Sequence, residues 1–178
     1  MANQIIIRRF TEGDAAEVRE MFITVNRLLA PEGLRDDFES YITLSLREEI
    51  DRISEYYQEK NGSFWVALID AKVVGMFGLE QSSDGAMELR RMYVAPGQRR
   101  NGIGRRLLHF AEEHCRLENV NQLHLSTSET QPEALSLYHN SGFELVREEI
   151  AETATNKTIG GGIRRYYFKK DLSDDVRF

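Results

Sequence analysis

Hydrophobic and polar positions recur with two periods in the first part of the chain, and these periods predict strands and helices in turn. A β-rich run covers residues 4–9, and apolar residues then repeat at helical spacing over residues 15–25 and residues 36–57. Gly62 ends the second helical pattern. The chain therefore opens with a strand, a helix, a loop around residues 31–33 and one long second helix.

Three extended runs follow, separated by short polar breaks at residues 70–72 and 82–85. Breaks this short are typical of hairpins, so the runs predict neighbouring antiparallel strands. The runs cover residues 64–69, 73–79 and 87–94.

Beyond Pro96 helical and extended patterns alternate, as they do in α/β units. Between the last two strands lies a polar segment, residues 151–163, that ends in three glycines and is predicted to be too flexible for the core, either a mobile flap or an exposed loop. The predicted elements are a helix at 103–118, a strand at 122–126, a helix at 132–140, and strands at 143–150 and 164–172.

The whole pattern predicts one α+β domain over residues 1–178, with its core at about residues 5–172. Its central sheet is mixed and mostly antiparallel, with helices flanking it. A length of 178 residues and 41% apolar composition suit one domain with its own core. No internal repeat is visible.

Composition excludes several classes of partner. A net charge of -6 gives no general attraction to nucleic acid or anionic lipid, and the arginine pairs are scattered, so they are expected to be solvated. No apolar stretch approaches the roughly 20 residues that cross a bilayer. Cys115 is the lone cysteine and the N-terminal residues do not resemble a signal peptide, which predicts a cytoplasmic protein.

The run at residues 87–94 changes the parity of its apolar positions. Met87 and Leu89 are followed by Met92 and Val94, so a β-bulge is predicted between Leu89 and Met92. A bulge leaves backbone groups unpaired in the sheet, and these can bind an extended ligand as another strand would. Pantetheine, with its two amides, is such a ligand.

Residues 99–104 join this strand to a helix and contain Gly102 and Gly104 beside two arginines. Backbone N–H groups at a helix N-terminus attract anions, so the loop predicts a pyrophosphate site. A plain strand-to-helix turn with solvated arginines is the alternative. Leu107 stands where a dinucleotide fingerprint needs glycine, and no Gly-Lys-Ser/Thr sequence forms a nucleotide P-loop.

Together, residues 88–96, 99–104 and 134–143 resemble the acetyl-CoA-binding core of the GNAT superfamily, whose Arg/Gln-x-x-Gly-x-Gly pattern is met by Arg99, Gly102 and Gly104. The resemblance implies acetyl-CoA as acetyl donor and no metal. It also implies that backbone from β-strand residues pairs with pantetheine, that loop amides hold the pyrophosphate, and that two side chains contact the coenzyme. The strand residues are Met92, Tyr93 and Val94, and the loop residues are Arg99, Arg100, Asn101, Gly102, Ile103 and Gly104. The two side chains are those of Gln131 and Tyr138.

Amine acylation needs a neutral nucleophile, and deprotonating a lysine-like amine at pH 7 costs about 4 to 5 kcal/mol. A general base or a water relay is therefore expected. Glu88 is similar in position to a glutamate that acts as base in several family members, with Glu80 and Glu129 as alternatives. The competing interpretation pairs Glu88 with Arg90 or Arg91.

Tyr138 matches the family's tyrosine near the coenzyme sulfur. Protonating a thiolate from a tyrosine is uphill by roughly 2 kcal/mol, so hydrogen bonding to the leaving sulfur is the simpler role. Cys115 lies on the apolar stripe of its helix and is interpreted as a core residue, which favours direct transfer. His109 and His114 lie on different helix faces and do not suggest a metal site.

The sequence thus predicts an acetyl-CoA-dependent N-acetyltransferase whose acceptor is a primary amine of a small molecule or amino acid. A peptide or protein N-acetyltransferase and a noncatalytic acyl-CoA-binding module are the alternatives. Acceptor contacts are expected from the first two helices, including the loop at residues 27–37, and from residues 151–163. Nucleic acid and membrane are not expected as partners, and the resemblance allows a homodimer.

Overall fold

The computed structural model describes residues 3–83 and 85–173, so Asp84 of the predicted break at 82–85 lies outside the described residues. These residues form seven strands and five α-helices, in an order that follows the predicted one except in the second helical region. The strands are β1 Ile6–Arg9, β2 Ser63–Ile69, β3 Lys72–Ser83, β4 Ala86–Val94, β5 Gln122–Ser128, β6 Glu144–Ala151 and β7 Ile163–Asp171; the helices are α1 Ala15–Leu29, α2 Arg35–Glu48, α3 Ile53–Glu59, α4 Ile103–Leu117 and α5 Pro132–Asn140.

The strands form one mixed sheet in the order β1-β2-β3-β4-β5-β7-β6. Every neighbouring pair is antiparallel except β4 and β5, which run parallel. The predicted mixed, mostly antiparallel sheet and the two predicted hairpins β2–β3 and β3–β4 are therefore confirmed. The parallel pair lies at the middle of the sheet, where α4 crosses over from β4 to β5.

Helices cover the sheet on both sides and divide the core into two clusters. On the side that we call the α1 face, α1, α2 and α3 bury Phe22, Phe38 and Val66. On the opposite side, the α4 face, α4 and α5 bury Leu107 and Leu123. Burial of these apolar surfaces is the main stabilising contribution to the fold.

The prediction of one long second helix is wrong, because the chain breaks at Glu49. Backbone angles of φ -140° and ψ -60° take Glu49 out of the helix, and a 3-10 turn at Ile50–Arg52 precedes α3. The Glu49 side chain is fully buried at this break. Its ion pairs with Arg90 and Arg91 explain why the chain leaves the helix here, although the apolar residues keep their helical spacing.

No helix of the described residues combines the length and apolar character needed to cross a membrane.

Candidate active site

The predicted bulge in β4 is present and determines which side chains reach the site. Gly78 of β3 pairs with Arg90 and Met76 pairs with Tyr93, so Arg91 and Met92 together oppose one residue of β3. Arg91 has a φ of 54°, a left-handed conformation that is uncommon for a non-glycine residue. The bulge brings two successive arginines, Arg90 and Arg91, to the α1 face.

Past the bulge, β4 and β5 separate and leave a cleft. Their parallel pairing joins only Ala86–Leu89 to residues 122–125, and the remaining described residues of the two strands form no further pairs with each other. The backbone of Met92 to Val94 therefore has one edge without a strand neighbour. An extended ligand carrying amides could complete that edge, so the residues present fit pantetheine.

The glycine loop lies at the end of this cleft, where α4 begins. Gly102 has a φ of 75° and is the N-cap residue of α4, and a Cβ atom added there would meet nothing within 4 Å. Arg100 and Asn101 are exposed beside it, Arg99 is half-buried, and the Ile103 side chain anchors the helix in the core. Open space, free N–H groups and arginines fit a pyrophosphate.

The two arginines of the bulge bind a buried glutamate from the helix break. Arg91 donates through Nε to Glu49 Oε2 at 2.9 Å, and Arg90 Nη1 lies 2.7 Å from Glu49 Oε1 and 2.8 Å from Glu80 Oε2. We call these four side chains, Glu49, Glu80, Arg90 and Arg91, the ion cluster. The expectation that the arginine pairs are solvated is wrong here, because both guanidinium groups are buried.

Tyrosine hydroxyls and opposite charges keep the carboxylates of the ion cluster ionised. Burial opposes ionisation of Glu80, but Arg90, Lys157 and the Tyr56 hydroxyl outweigh it and lower its pKa to about 2. Burial also opposes ionisation of Glu49, whose pKa is nevertheless lowered by Arg91 and Arg90. The stability that Glu80 contributes is therefore present above its usual pKa of 4.5 and is lost as the pH falls toward 2.

Glu88 lies next to the ion cluster but is bound by a different cation. Its Oε2 accepts a hydrogen bond from Lys157 Nζ at 2.9 Å, while the same ammonium donates to Glu80 Oε1 at 2.7 Å. The predicted alternative, a pair between Glu88 and Arg90 or Arg91, is wrong, because those arginines are held by Glu49 and Glu80. Burial opposes protonation of Lys157, but Glu88 and Glu80 raise its pKa.

The segment between β6 and β7 is part of the site and of the core. The carbonyl oxygen of Asn156 accepts hydrogen bonds from Arg90 and Arg91, and Ile159 packs in the core of the α1 face. A Cβ at Gly160 would come within 2.7 Å of backbone, at a φ of 83°, so glycine is required there. The prediction that this segment is too flexible for the core is therefore wrong.

Tyr138 lies on the opposite wall of the cleft, in α5. Its ring packs edge-on against Phe143 with 5.8 Å between ring centres, and burial raises the pKa of its hydroxyl. That hydroxyl makes no hydrogen bond to the part of the chain that the structure describes, so it is available to a ligand. Gln131 lines the same cleft at the start of α5.

The other candidates lie outside the cleft. Cys115 packs in the α4 face, as predicted, and burial raises the pKa of its thiol to about 12. His114 packs edge-on against Trp65, and no group of three or more metal-ligating side chains occurs among residues 3–83 and 85–173. Glu129 accepts a hydrogen bond from the backbone N–H of Arg164. Among the residues of the first two helices, Asn26 of α1 and Tyr41 of α2 line the cleft.

Three residues of this region were not singled out from the sequence. Glu49 was included in a continuous helix, Lys157 was part of a polar segment, and Arg165 was one of the scattered arginines. Arg165 is 8% exposed and donates through Nη2 to Ser126 Oγ at 2.8 Å. Only Glu49 carried a signal, a charged residue near the apolar stripe of its predicted helix; the other two depend on tertiary contacts.

Comparison with known proteins agrees with this geometry. Probable N-acetyltransferase camello of Xenopus tropicalis is 36% identical over 139 residues, which cover 76% of this chain and 64% of that protein. N-acetylaspartate synthetase of the same organism is 33% identical over 109 residues, which cover 60% of this chain and 40% of that protein. The chain thus spans less than two thirds of the length of these curated relatives.

Solved structures show the same fold at lower identity. A GNAT-family acetyltransferase of Staphylococcus aureus Mu50 matches with a TM-score of 0.74 and 21% identity, over 96% of this chain and 100% of that one. The PaiA N-acetyltransferase of Thermoplasma acidophilum was solved in complex with coenzyme A. It matches with a TM-score of 0.69 and 20% identity, over 94% of this chain and 99% of that one. The sequence model of the family described as "Acetyltransferase (GNAT) family" matches residues 31–143, well over half of the chain. This protein belongs to the GNAT family of acetyltransferases.

Proposed function

We propose that the protein transfers the acetyl group of acetyl-CoA directly to a primary amine of a small molecule or amino acid. One observation carries the proposal. In the cleft between β4 and β5, an ammonium group, that of Lys157, already lies 2.9 Å from the carboxylate of Glu88. An acceptor amine that replaces Lys157 there would be within proton-transfer distance of a base.

Each wall of the cleft has a separate task in this scheme. When bound, acetyl-CoA supplies the acetyl group as a thioester. The loop at residues 99–104 binds its pyrophosphate, and the free edge of β4 at Met92 to Val94 orients the pantetheine arm. Glu88 accepts the proton of the acceptor ammonium, and the neutral amine attacks the thioester carbonyl to form the C–N bond. Tyr138 donates a hydrogen bond to the sulfur as the C–S bond breaks, and the second proton of the amine goes to the departing thiolate.

The acceptor side of the cleft favours a compact substrate. Residues 156–159 line it and are held by Arg90, Arg91 and the packing of Ile159, which supports a compact acceptor over an extended peptide. The similarity to N-acetylaspartate synthetases, whose name states an acetylated amino acid as product, also supports an amino acid or similar amine. The buried Cys115 is compatible with the cytoplasm, where we propose that the protein acts.

The proposal is tested by thiol release from acetyl-CoA against amino acids, polyamines, aminoglycosides and short peptides, with coenzyme binding measured by calorimetry. Turnover is expected with small amines. Gly102→Glu should weaken coenzyme binding at least tenfold, because it adds a negative charge at a left-handed position beside the pyrophosphate site.

Gly33→Glu is the matched control, since Gly33 also has open space around it but no left-handed φ and lies far along the chain from the loop. Its coenzyme affinity should equal that of the unmodified protein. Equal loss in both variants, or no coenzyme binding by the unmodified protein, would overturn the proposed function.

A second prediction concerns Tyr138. Tyr138→Phe is expected to lower kcat by roughly 10- to 100-fold, the value of one hydrogen bond to a charged group, while the coenzyme dissociation constant changes by less than about twofold. Steady-state kinetics and calorimetry give the two quantities. Tyr166→Phe, a half-buried tyrosine of β7, is the control. Unchanged turnover in Tyr138→Phe would remove this hydroxyl from the mechanism.

A further inference from the structure

Arg165 is a cation of the cleft wall without a carboxylate partner. It lies on β7, is 8% exposed, and its buried Nε has no hydrogen-bond partner among the described residues. The Ser126 hydroxyl, 2.8 Å from Nη2, is neutral. No carboxylate of residues 3–83 or 85–173 forms an ion pair with this guanidinium.

The other cations of the cleft are balanced. Arg90 and Arg91 are bound by Glu49 and Glu80, and Lys157 is bound by Glu80 and Glu88, so three positive and three negative groups compensate one another. Arg165 is a fourth positive charge in the same cleft. The acceptor side therefore carries an excess positive charge where a ligand binds.

Arg165 has a neighbouring acid, whose pKa the arginine charge helps to lower, but the two form no ion pair. Glu149 is its cross-strand partner on β6, but the Glu149 carboxylate accepts hydrogen bonds from Arg147 at 3.0 Å and from the Tyr167 hydroxyl. Burying a guanidinium without an ion-pair partner is costly, and a ligand anion would remove that cost. The position of Arg165 thus indicates an anionic group on the ligand.

Strand register places Arg165 on the same face of the sheet as Glu88. Glu88 is paired with His124, and Arg165 is paired with Ser128, two positions beyond Ser126 on β5. Arg165 Nη2 is 2.8 Å from Ser126 Oγ, and Ser126 lies two residues along β5 from His124, the partner of Glu88. Glu88 and Arg165 therefore lie on one face of the sheet, and both line the cleft.

We propose that Arg165 binds the carboxylate of the acceptor, so that the substrate class is an amine that carries a carboxylate, with its amine at Glu88 in place of Lys157. This inference rests on the proposed function and specifies its acceptor. A guanidinium suits this role because it binds a carboxylate through two parallel hydrogen bonds.

The test compares amino acids with their carboxamides and with the corresponding decarboxylated amines. For the unmodified protein, kcat/KM should be highest for the amino acids. Arg165→Gln should raise the KM for amino acids by about 10- to 100-fold, as expected for loss of a charge-assisted hydrogen bond, and leave the KM for the carboxamides nearly unchanged. Arg165→Lys, which keeps the charge, should restore part of the affinity.

Arg164→Gln is the matched control, because Arg164 is the adjacent residue and pairs at the surface with Glu148 at 3.0 Å. It should leave all acceptor constants unchanged. Thermal unfolding shows that each variant is folded, and Arg165→Lys keeps the test valid if Arg165→Gln does not fold.

Calorimetric titration of an N-acetyl amino acid into the protein saturated with coenzyme A gives a readout independent of turnover. Binding that is lost in Arg165→Gln supports the inference. The inference is overturned if carboxamides are acetylated as efficiently as amino acids, if the N-acetyl amino acid binds both proteins equally, or if Arg165→Gln weakens coenzyme binding instead. In the first case, turnover of carboxamides shows that the proposed acetyltransferase function itself still stands.

Discussion

Replacing Glu88 with glutamine is expected to lower kcat by about 10²- to 10⁴-fold, the range in which a positioned general base contributes. Glutamine keeps the size of the side chain but cannot accept the proton of the acceptor ammonium. Coenzyme affinity should not change, since the proposed coenzyme contacts lie at Met92 to Val94 and at residues 99–104. Steady-state kinetics at saturating acetyl-CoA and calorimetric binding of coenzyme A measure both effects.

Lys157→Met separates the loss of the base from the loss of its ion pair. This variant loses the ammonium that contacts Glu88 at 2.9 Å, but it keeps the Glu88 carboxylate. We expect kcat of this variant to stay within about threefold of the unmodified protein, because the base is retained. If Lys157→Met and Glu88→Gln lose the same activity, the ion pair supports the structure and Glu88 is not the base.

Replacing Glu49 with glutamine is expected to destabilise the protein by about 3 to 5 kcal/mol, the cost of removing one partner from a buried ion pair. Glu49 is 0% exposed and binds both Arg90 and Arg91. Without its charge, Arg91 would be buried with no carboxylate of the ion cluster in contact. Urea unfolding followed by circular dichroism gives the free energy of unfolding.

The control for this prediction is Glu39→Gln, which removes an ion pair of similar length at the surface. Glu39 and Arg27 are 2.7 Å apart, but both side chains are about half exposed, so the expected loss is at most about 1 kcal/mol. A loss for Glu49→Gln that is no larger than for Glu39→Gln would show that the arginines of the bulge find other partners.

The sequence was informative wherever a local period determines the structure. The change of apolar parity between Leu89 and Met92 predicted the bulge, because side chains on a strand alternate strictly between the two faces. The order of strands and helices after Pro96 followed in the same way, and α4 and α5 begin where predicted. The roles of Glu88 and Tyr138 remain predictions, although both lie in the cleft.

Periodicity failed where contacts distant along the chain outweigh local preference. The helical pattern of residues 36–57 continues through Glu49, yet this residue leaves the helix to bind Arg91, which is 42 positions away. Residues 156–159 have the polar composition of an exposed loop, but two arginines of β4 bind the Asn156 carbonyl. No single-sequence pattern contains these pairings, since each partner looks like a surface residue in its own segment.

Lys157 has a quantitative consequence for the enzyme that we propose. Its ammonium is part of the chain, so every acceptor must compete with a ligand whose effective concentration is set by the chain and does not fall on dilution. The measured affinity for an acceptor is then its intrinsic affinity multiplied by the fraction of molecules in which Lys157 has left. Amines that bind weakly therefore compete poorly with this internal ligand, and the acceptor concentration needed for turnover depends on how often Lys157 leaves Glu88.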